Sequence, residues 1–249
     1  MKKPVVIFGK QSDDCNINSV VQFFENDSPD IFADILVDYF SYNKRKLFAK
    51  KGSERKMLAR DKLTVSLSEY KRVVNKTINR FQNYWNSIEV EIINQLEIVF
   101  EIKFRGSKKY CAYLTINPIC PRYLDNCSFE VNFKSSPQYA AQIVINELIH
   151  FVWFEKWKSF FKDYDKKEFE SPYPIWLFSE IAIEPIIRNS SLNKFLETSQ
   201  PAYNYFYKKE INNQNLFDIM NDLFNKNNIE NFMKKGFEIV KQNYNLLID

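Results

Sequence analysis

Only four glycines and a single histidine occur among the 249 residues. With so little glycine, no GxGxxG or GxxxxGK[ST] string is present. That excludes the common loops in which backbone approaches a phosphate closely. The four cysteines, Cys15, Cys111, Cys120 and Cys127, form no CxxC pair, so a structural zinc knuckle is not expected. They read as reduced, mostly buried thiols. No apolar run approaches the ~18 residues of a membrane span, because the best candidate, residues 175–187, is interrupted by Glu180 and Glu184. The basic start Met-Lys-Lys is followed by too few apolar residues for a signal peptide. These absences predict a soluble, cytoplasmic protein with no membrane partner.

What is abundant is bulk. Hydrophobic residues make up 45% of the chain, and the 23 Phe and 14 Tyr imply a core of large side chains. The net charge of +4 is mild, but nine Lys and Arg fall between Lys44 and Lys62 against only Glu54 and Asp61. Such a run predicts a solvated, mobile connector, with a patch for nucleic acid or an anionic surface as the alternative.

Period and punctuation suggest the organisation. A short strand is expected at residues 5–8, then helices near 17–25 and 29–42, the second capped by Ser28 with Pro29 at its first position. A long helical region follows over 66–101, with Asn86 and Ser87 expected to divide it. Alternation at Tyr110, Ala112, Leu114 and Ile116, and again at Phe129, Val131 and Phe133, predicts two neighbouring strands. Residues 102–104 are expected to add a third. Helical character returns over 137–163, and a further helix is expected from Pro174 through Glu184, with a kink or restart at Pro185. The remainder, about 193–245, reads as three or four short amphipathic helices.

Within the 137–163 helix lies Ile-Asn-Glu-Leu-Ile-His-Phe, residues 145–151. The i, i+4 spacing places Asn146 and His150 on one helix face, a turn apart, with Glu147 beside them. Glu180 follows thirty residues beyond His150, and Glu184 one turn later, both embedded in an apolar helix. Carboxylates so placed need partners. The pattern resembles the gluzincin zinc metallopeptidases, in which HExxH supplies two zinc ligands and a general base, and a later Glu supplies the third ligand. The resemblance covers roughly residues 110–184. It implies Asn146, His150 and Glu180 at the three metal positions, Glu147 as catalytic base and Glu184 as the acid that orients a ligand. Asn146 stands where the family has histidine, and no second histidine exists to replace it. A neutral amide oxygen is a weaker zinc ligand than imidazole, so zinc is expected to bind weakly or not at all.

The expected fold is α+β and mostly helical, with a small antiparallel or mixed sheet beside a two-helix core. Expected divisions are an N-terminal segment, 1–65, a metallopeptidase-like core, 66–190, and a C-terminal helical segment, 191–249, within one compact unit. Three functions follow. The first is a degenerate peptidase that binds a peptide or protein segment in its cleft. The second is an active peptidase, with Glu147 assisting water attack on a peptide laid along an edge strand near Tyr110 to Asn117. The third is an interaction protein for nucleic acid or an anionic surface, working through Lys44 to Lys62; nucleic acid is the least favoured partner. The Asn-Pro-Ile-Cys-Pro-Arg string from Asn117 to Arg122 carries no assigned role.

Overall fold

A 48-residue helix organises much of the chain. In this computed structural model, which describes residues 3–25, 31–104, 106 and 108–248, the first elements are β1 (Val5–Lys10), α1 (Asp13–Val21), α2 (Ile31–Tyr39), α3 (Lys44–Phe48) and the long α4 (Gly52–Val99). Then come β2 (Lys109–Thr115), β3 (Arg122–Tyr123), β4 (Ser128–Asn132), α5 (Pro137–Phe160) and α6 (Pro174–Arg188). The chain ends with β5 (Glu210–Ile211), β6 (Gln214–Asn215), α7 (Leu216–Asn225), α8 (Ile229–Gln242) and α9 (Tyr244–Ile248). The architecture is mostly helical α+β, as expected. Two compact units form, one from Pro4–Ser87 and Ser107–Ile143, the other from Met1–Lys3, Ile88–Gly106 and Val144–Asp249.

The first unit holds a mixed sheet in the order β1-β2-β4-β3. β1 and β2 pair in parallel, Val6 opposite Tyr110, as do β2 and β4, Leu114 opposite Val131, while β3 runs antiparallel to β4. All five residues of β4 are buried, as a strand covered on both faces must be. β2 therefore lies inside the sheet. This corrects the expectation that residues 110–117 form an edge able to receive a peptide. The third strand is also not 102–104. That segment folds back onto α4, where Glu97 Oε1 accepts from Phe104 N at 2.9 Å and the Glu97 carbonyl from Ile102 N at 3.1 Å. β1 takes its place, and its outer edge is closed by one amide: Gln82 Oε1 accepts from Phe8 N at 2.9 Å, and Gln82 Nε2 donates to the Val6 carbonyl at 3.1 Å.

α4 is continuous through Asn86 and Ser87. Its buried residues Ala59, Leu63, Leu67, Tyr70, Val74, Phe81 and Trp85 recur at helical spacing. The two polar residues bond within the helix rather than cap it: Asn86 Oδ1 accepts from Gln82 Nε2 at 2.7 Å, and Ser87 Oγ donates to the Tyr84 carbonyl at 2.6 Å. Apart from the joint at residues 49–51, the cationic stretch is helix in α3 and α4 rather than a connector. Lys44 pairs with Asp34 at 2.6 Å, Lys50 with Glu54 at 3.1 Å and Lys56 with Glu25 at 2.5 Å. Arg55 is 1% exposed and donates to the carbonyls of Lys50 and Phe24. The expected Ser28 cap and Pro29 start lie outside the described residues.

The 117–122 string acquires a structural explanation in the same unit. Asn117 Nδ2 donates to the Ser19 carbonyl and hydroxyl, at 2.8 and 2.9 Å, while its Oδ1 accepts from Ile119 N at 2.9 Å. Cys120, at a φ of 54°, turns the chain so that its sulfur accepts from Asn132 N at 3.2 Å. The string pins the β2–β3 loop to α1 and β4.

In the second unit twelve of the 15 residues of α6 are buried, the signature of a helix that is apolar on every side. α6 continues through Pro185 to Arg188 without restarting, and the Pro185 carbonyl accepts from both nitrogens of Asn189, at 3.2 and 2.8 Å. Phe178 of α6 meets Trp153 of α5 edge to face, centroids 5.0 Å apart, and Phe232 of α8 at 5.7 Å. Among the described residues no helix is long and apolar enough to cross a membrane.

Candidate functional site

α5 and α6 bring two of the expected residues into contact. His150, 2% exposed, sits in the middle of α5 with its ring stacked over Phe154, centroids 6.2 Å apart and planes 18° from parallel. Phe154 is itself stacked on Phe169 at 4.5 Å, so the imidazole rests on an aromatic shelf. His150 Nε2 lies 3.3 Å from Glu180 Oε2, and Nδ1 is enclosed with no hydrogen-bond partner. One turn earlier, Asn146 Nδ2 donates to the Pro201 carbonyl at 3.3 Å, while Oδ1 is buried with no partner. Glu147 follows on the same helix, half-buried.

Glu184 belongs to a different network. It is 3% exposed, with Oε1 accepting from Arg188 at 2.8 Å and Oε2 from the Tyr207 hydroxyl at 2.5 Å. The resemblance sets His150, Glu180 and Glu184 in one site, and the structure divides them. His150 and Glu180 meet, whereas Glu184 turns to Arg188 and Tyr207.

Three participants escape sequence reading because they come from a segment with little regular structure. Residues 199–207 are stitched to α5 and α6 by three hydrogen bonds and one charge interaction. Arg188 Nη2 donates to the Ser199 carbonyl at 2.9 Å, Pro201 receives Asn146, Tyr205 feels the charge of Glu180, and Tyr207 bonds Glu184. Burial, and secondarily Glu180, push the Tyr205 phenol well above its usual range. Burial, then Glu184, does the same to Tyr207. Arg188 alone had a sequence signal, its i, i+4 spacing from Glu184.

The donor set can be tested against zinc. Among the described residues no three His, Cys, Asp or Glu side chains gather as a metal site requires. A third donor must therefore be something else, and the enclosed, unbonded Asn146 Oδ1 is an oxygen of the right kind. The 3.3 Å separation of His150 Nε2 and Glu180 Oε2 exceeds the about 2.7–2.9 Å of a charge-assisted hydrogen bond. It matches the roughly 3.3–3.6 Å between two donors bound to one tetrahedral zinc. Two strong donors and one amide fit a weak site.

Compared with known proteins, the chain matches no family profile, no curated protein and no solved structure.

Proposed function

We propose that the chain is a peptidase-like protein whose site at Asn146, His150 and Glu180 binds a divalent metal weakly and holds a peptide segment without efficient cleavage. The observation that carries this reading is the approach of His150 Nε2 to Glu180 Oε2 from two different helices, with an Asn146 oxygen one helical turn before His150 that has no hydrogen-bond partner. A bound zinc would act as a Lewis acid on a carbonyl. His150 and Glu180 would hold it, Asn146 would complete the set, and Glu147 would be the proton acceptor. The recognition of peptide is supported by what Asn146 already faces: a backbone carbonyl, that of Pro201, received by the amide nitrogen.

Zinc titration of protein prepared without chelating resin tests the reading. Weak uptake, abolished in Glu180→Ala, is expected, together with little or no hydrolysis of a denatured protein substrate. Tight stoichiometric zinc with hydrolysis lost in Glu147→Gln would replace it by an active peptidase. Zinc uptake that Glu180→Ala leaves unchanged would remove the site.

A further inference from the structure

Outside this site, the unit built from Pro4–Ser87 and Ser107–Ile143 contains a cleft of about 860 Å³ that none of the preceding chemistry uses. It is lined by α1 and the ends of β1, β3 and β4, and by Lys56 and Arg60 of α4. One of its lining residues is Glu130, 1% exposed. Glu130 Oε1 accepts from Gln11 Nε2 and from the Tyr123 hydroxyl, both at 2.9 Å, and Oε2 accepts from Ser19 Oγ at 2.5 Å. Every one of these donors is neutral, and no cationic side chain among the described residues pairs with this carboxylate. Asn117 Nδ2 donates to Ser19 Oγ at 2.9 Å, which commits the Ser19 proton to Glu130. Burial, then the Glu130 charge, keeps the Tyr123 phenol protonated and donating.

A buried carboxylate without a countercharge is costly, and a cleft beside it offers a place for one. Each carboxylate oxygen accepts about two hydrogen bonds. Oε1 is therefore saturated, and Oε2 has one position left. A guanidinium or a guanine edge, which needs both oxygens, is disfavoured, whereas an ammonium needs only one. A metal ion would call for further acidic or imidazole ligands, and no such group of three exists among the described residues. On the rim stand Lys10, which has no ion pair among the described residues, and Arg60, which spends one donor on Asn18 Oδ1 at 2.8 Å. Lys56 is already engaged by Glu25.

We propose that this cleft binds a small zwitterion, an amino acid or a very short peptide, with its ammonium on Glu130 Oε2 and its carboxylate at Lys10 and Arg60. The inference is independent of the metal site.

The test uses the full chain with three probes: L-alanyl-L-alanine, its N-acetyl derivative and its C-terminal amide. Calorimetry is expected to show binding of the free dipeptide, weakened roughly tenfold or more by acetylation and again by Glu130→Gln, as loss of a charge-assisted contact implies. Because Glu130→Gln could disturb folding, the exposed pair Lys10→Gln with Arg60→Gln provides a second variant. It should weaken the dipeptide and leave the amide unaffected. Cys15, exposed and lining the cleft, reports location. Its alkylation by N-ethylmaleimide, mapped by mass spectrometry, should slow when the dipeptide is bound, in the native chain and in Glu180→Ala alike. Absence of dipeptide binding, equal binding of the acetylated probe, or binding that leaves Cys15 unprotected would each overturn the proposal.

Discussion

At the proposed metal site Asn146 would do more than weaken binding. Its amide has two ends, and the fold uses only one: nitrogen donates to the Pro201 carbonyl, and oxygen is left enclosed without a donor. An imidazole at this position could keep the same contact through one N–H and offer its other nitrogen as a ligand. Asn146→His is therefore expected to raise zinc affinity at least about tenfold, roughly 1.4 kcal/mol, read by competition with a chromogenic chelator. Unchanged affinity would mean that the Glu180 side of the site is also out of place. The Glu184 network makes a separate prediction. Tyr207→Phe removes one of the donors to a buried carboxylate and should cost about 1–3 kcal/mol in urea unfolding, with zinc uptake unaffected. At this scale the sequence was informative where spacing on one helix decided the outcome. Asn146 and His150 share a face because they are four apart, and Glu180 was suspect because an acid in an apolar helix needs a partner. Tyr205, Tyr207 and Pro201 were not legible, since tertiary folding alone carries an irregular segment back over α5 and α6.

Among the elements, α8 is seated on α6 through the absence of a side chain. A Cβ on Gly236 would stand 2.8 Å from Phe178 Cε2 and closer still to Cζ. Phe178 is fully buried and packed by Trp153 and Phe232, so its ring has nowhere to move. Gly236→Ala should destabilise by about 1–3 kcal/mol despite the better helix propensity of alanine, measured by thermal or urea unfolding. A neutral or stabilising result would show that α8 can shift away from α6. Helix propensity misled at Asn86 and Ser87 for a related reason. Trp85 is buried on the same face as Phe81, and packing on that face outweighs the capping preference of two exposed polar side chains. The strands were legible from their alternation, but their order was not. Period two identifies a strand with one covered face and is silent on which neighbour it pairs with, so β2 passed for an edge.

For the whole molecule, buried phenols set a limit on the alkaline side. Tyr42 and Tyr123 in one unit and Tyr205 and Tyr207 in the other are all pushed well above the ordinary tyrosine range, chiefly by burial. In each case the folded state holds its proton more tightly than the unfolded chain. The associated stability is complete below the unfolded value of about 10 and is lost as pH rises beyond it, because only the unfolded chain then ionises. Urea midpoints should fall as pH rises from about 10 to about 12, in step with phenolate absorbance of the unfolded chain. A flat profile across that range would mean these hydroxyls reach solvent.

The division of the chain also has a consequence during synthesis. One unit is complete once Ile143 has left the ribosome, whereas the other has by then only Met1–Lys3 and Ile88–Gly106 and must await Val144–Asp249. Ile92, Ile93, Leu96 and Phe100, all fully or almost fully buried in the finished protein, are waiting throughout that interval. At about 5–20 residues per second the wait is on the order of 5–20 s. A nascent chain stalled when Ile143 has just emerged would thus present a folded sheet and an uncovered apolar helix end together, the kind of surface on which a chaperone acts.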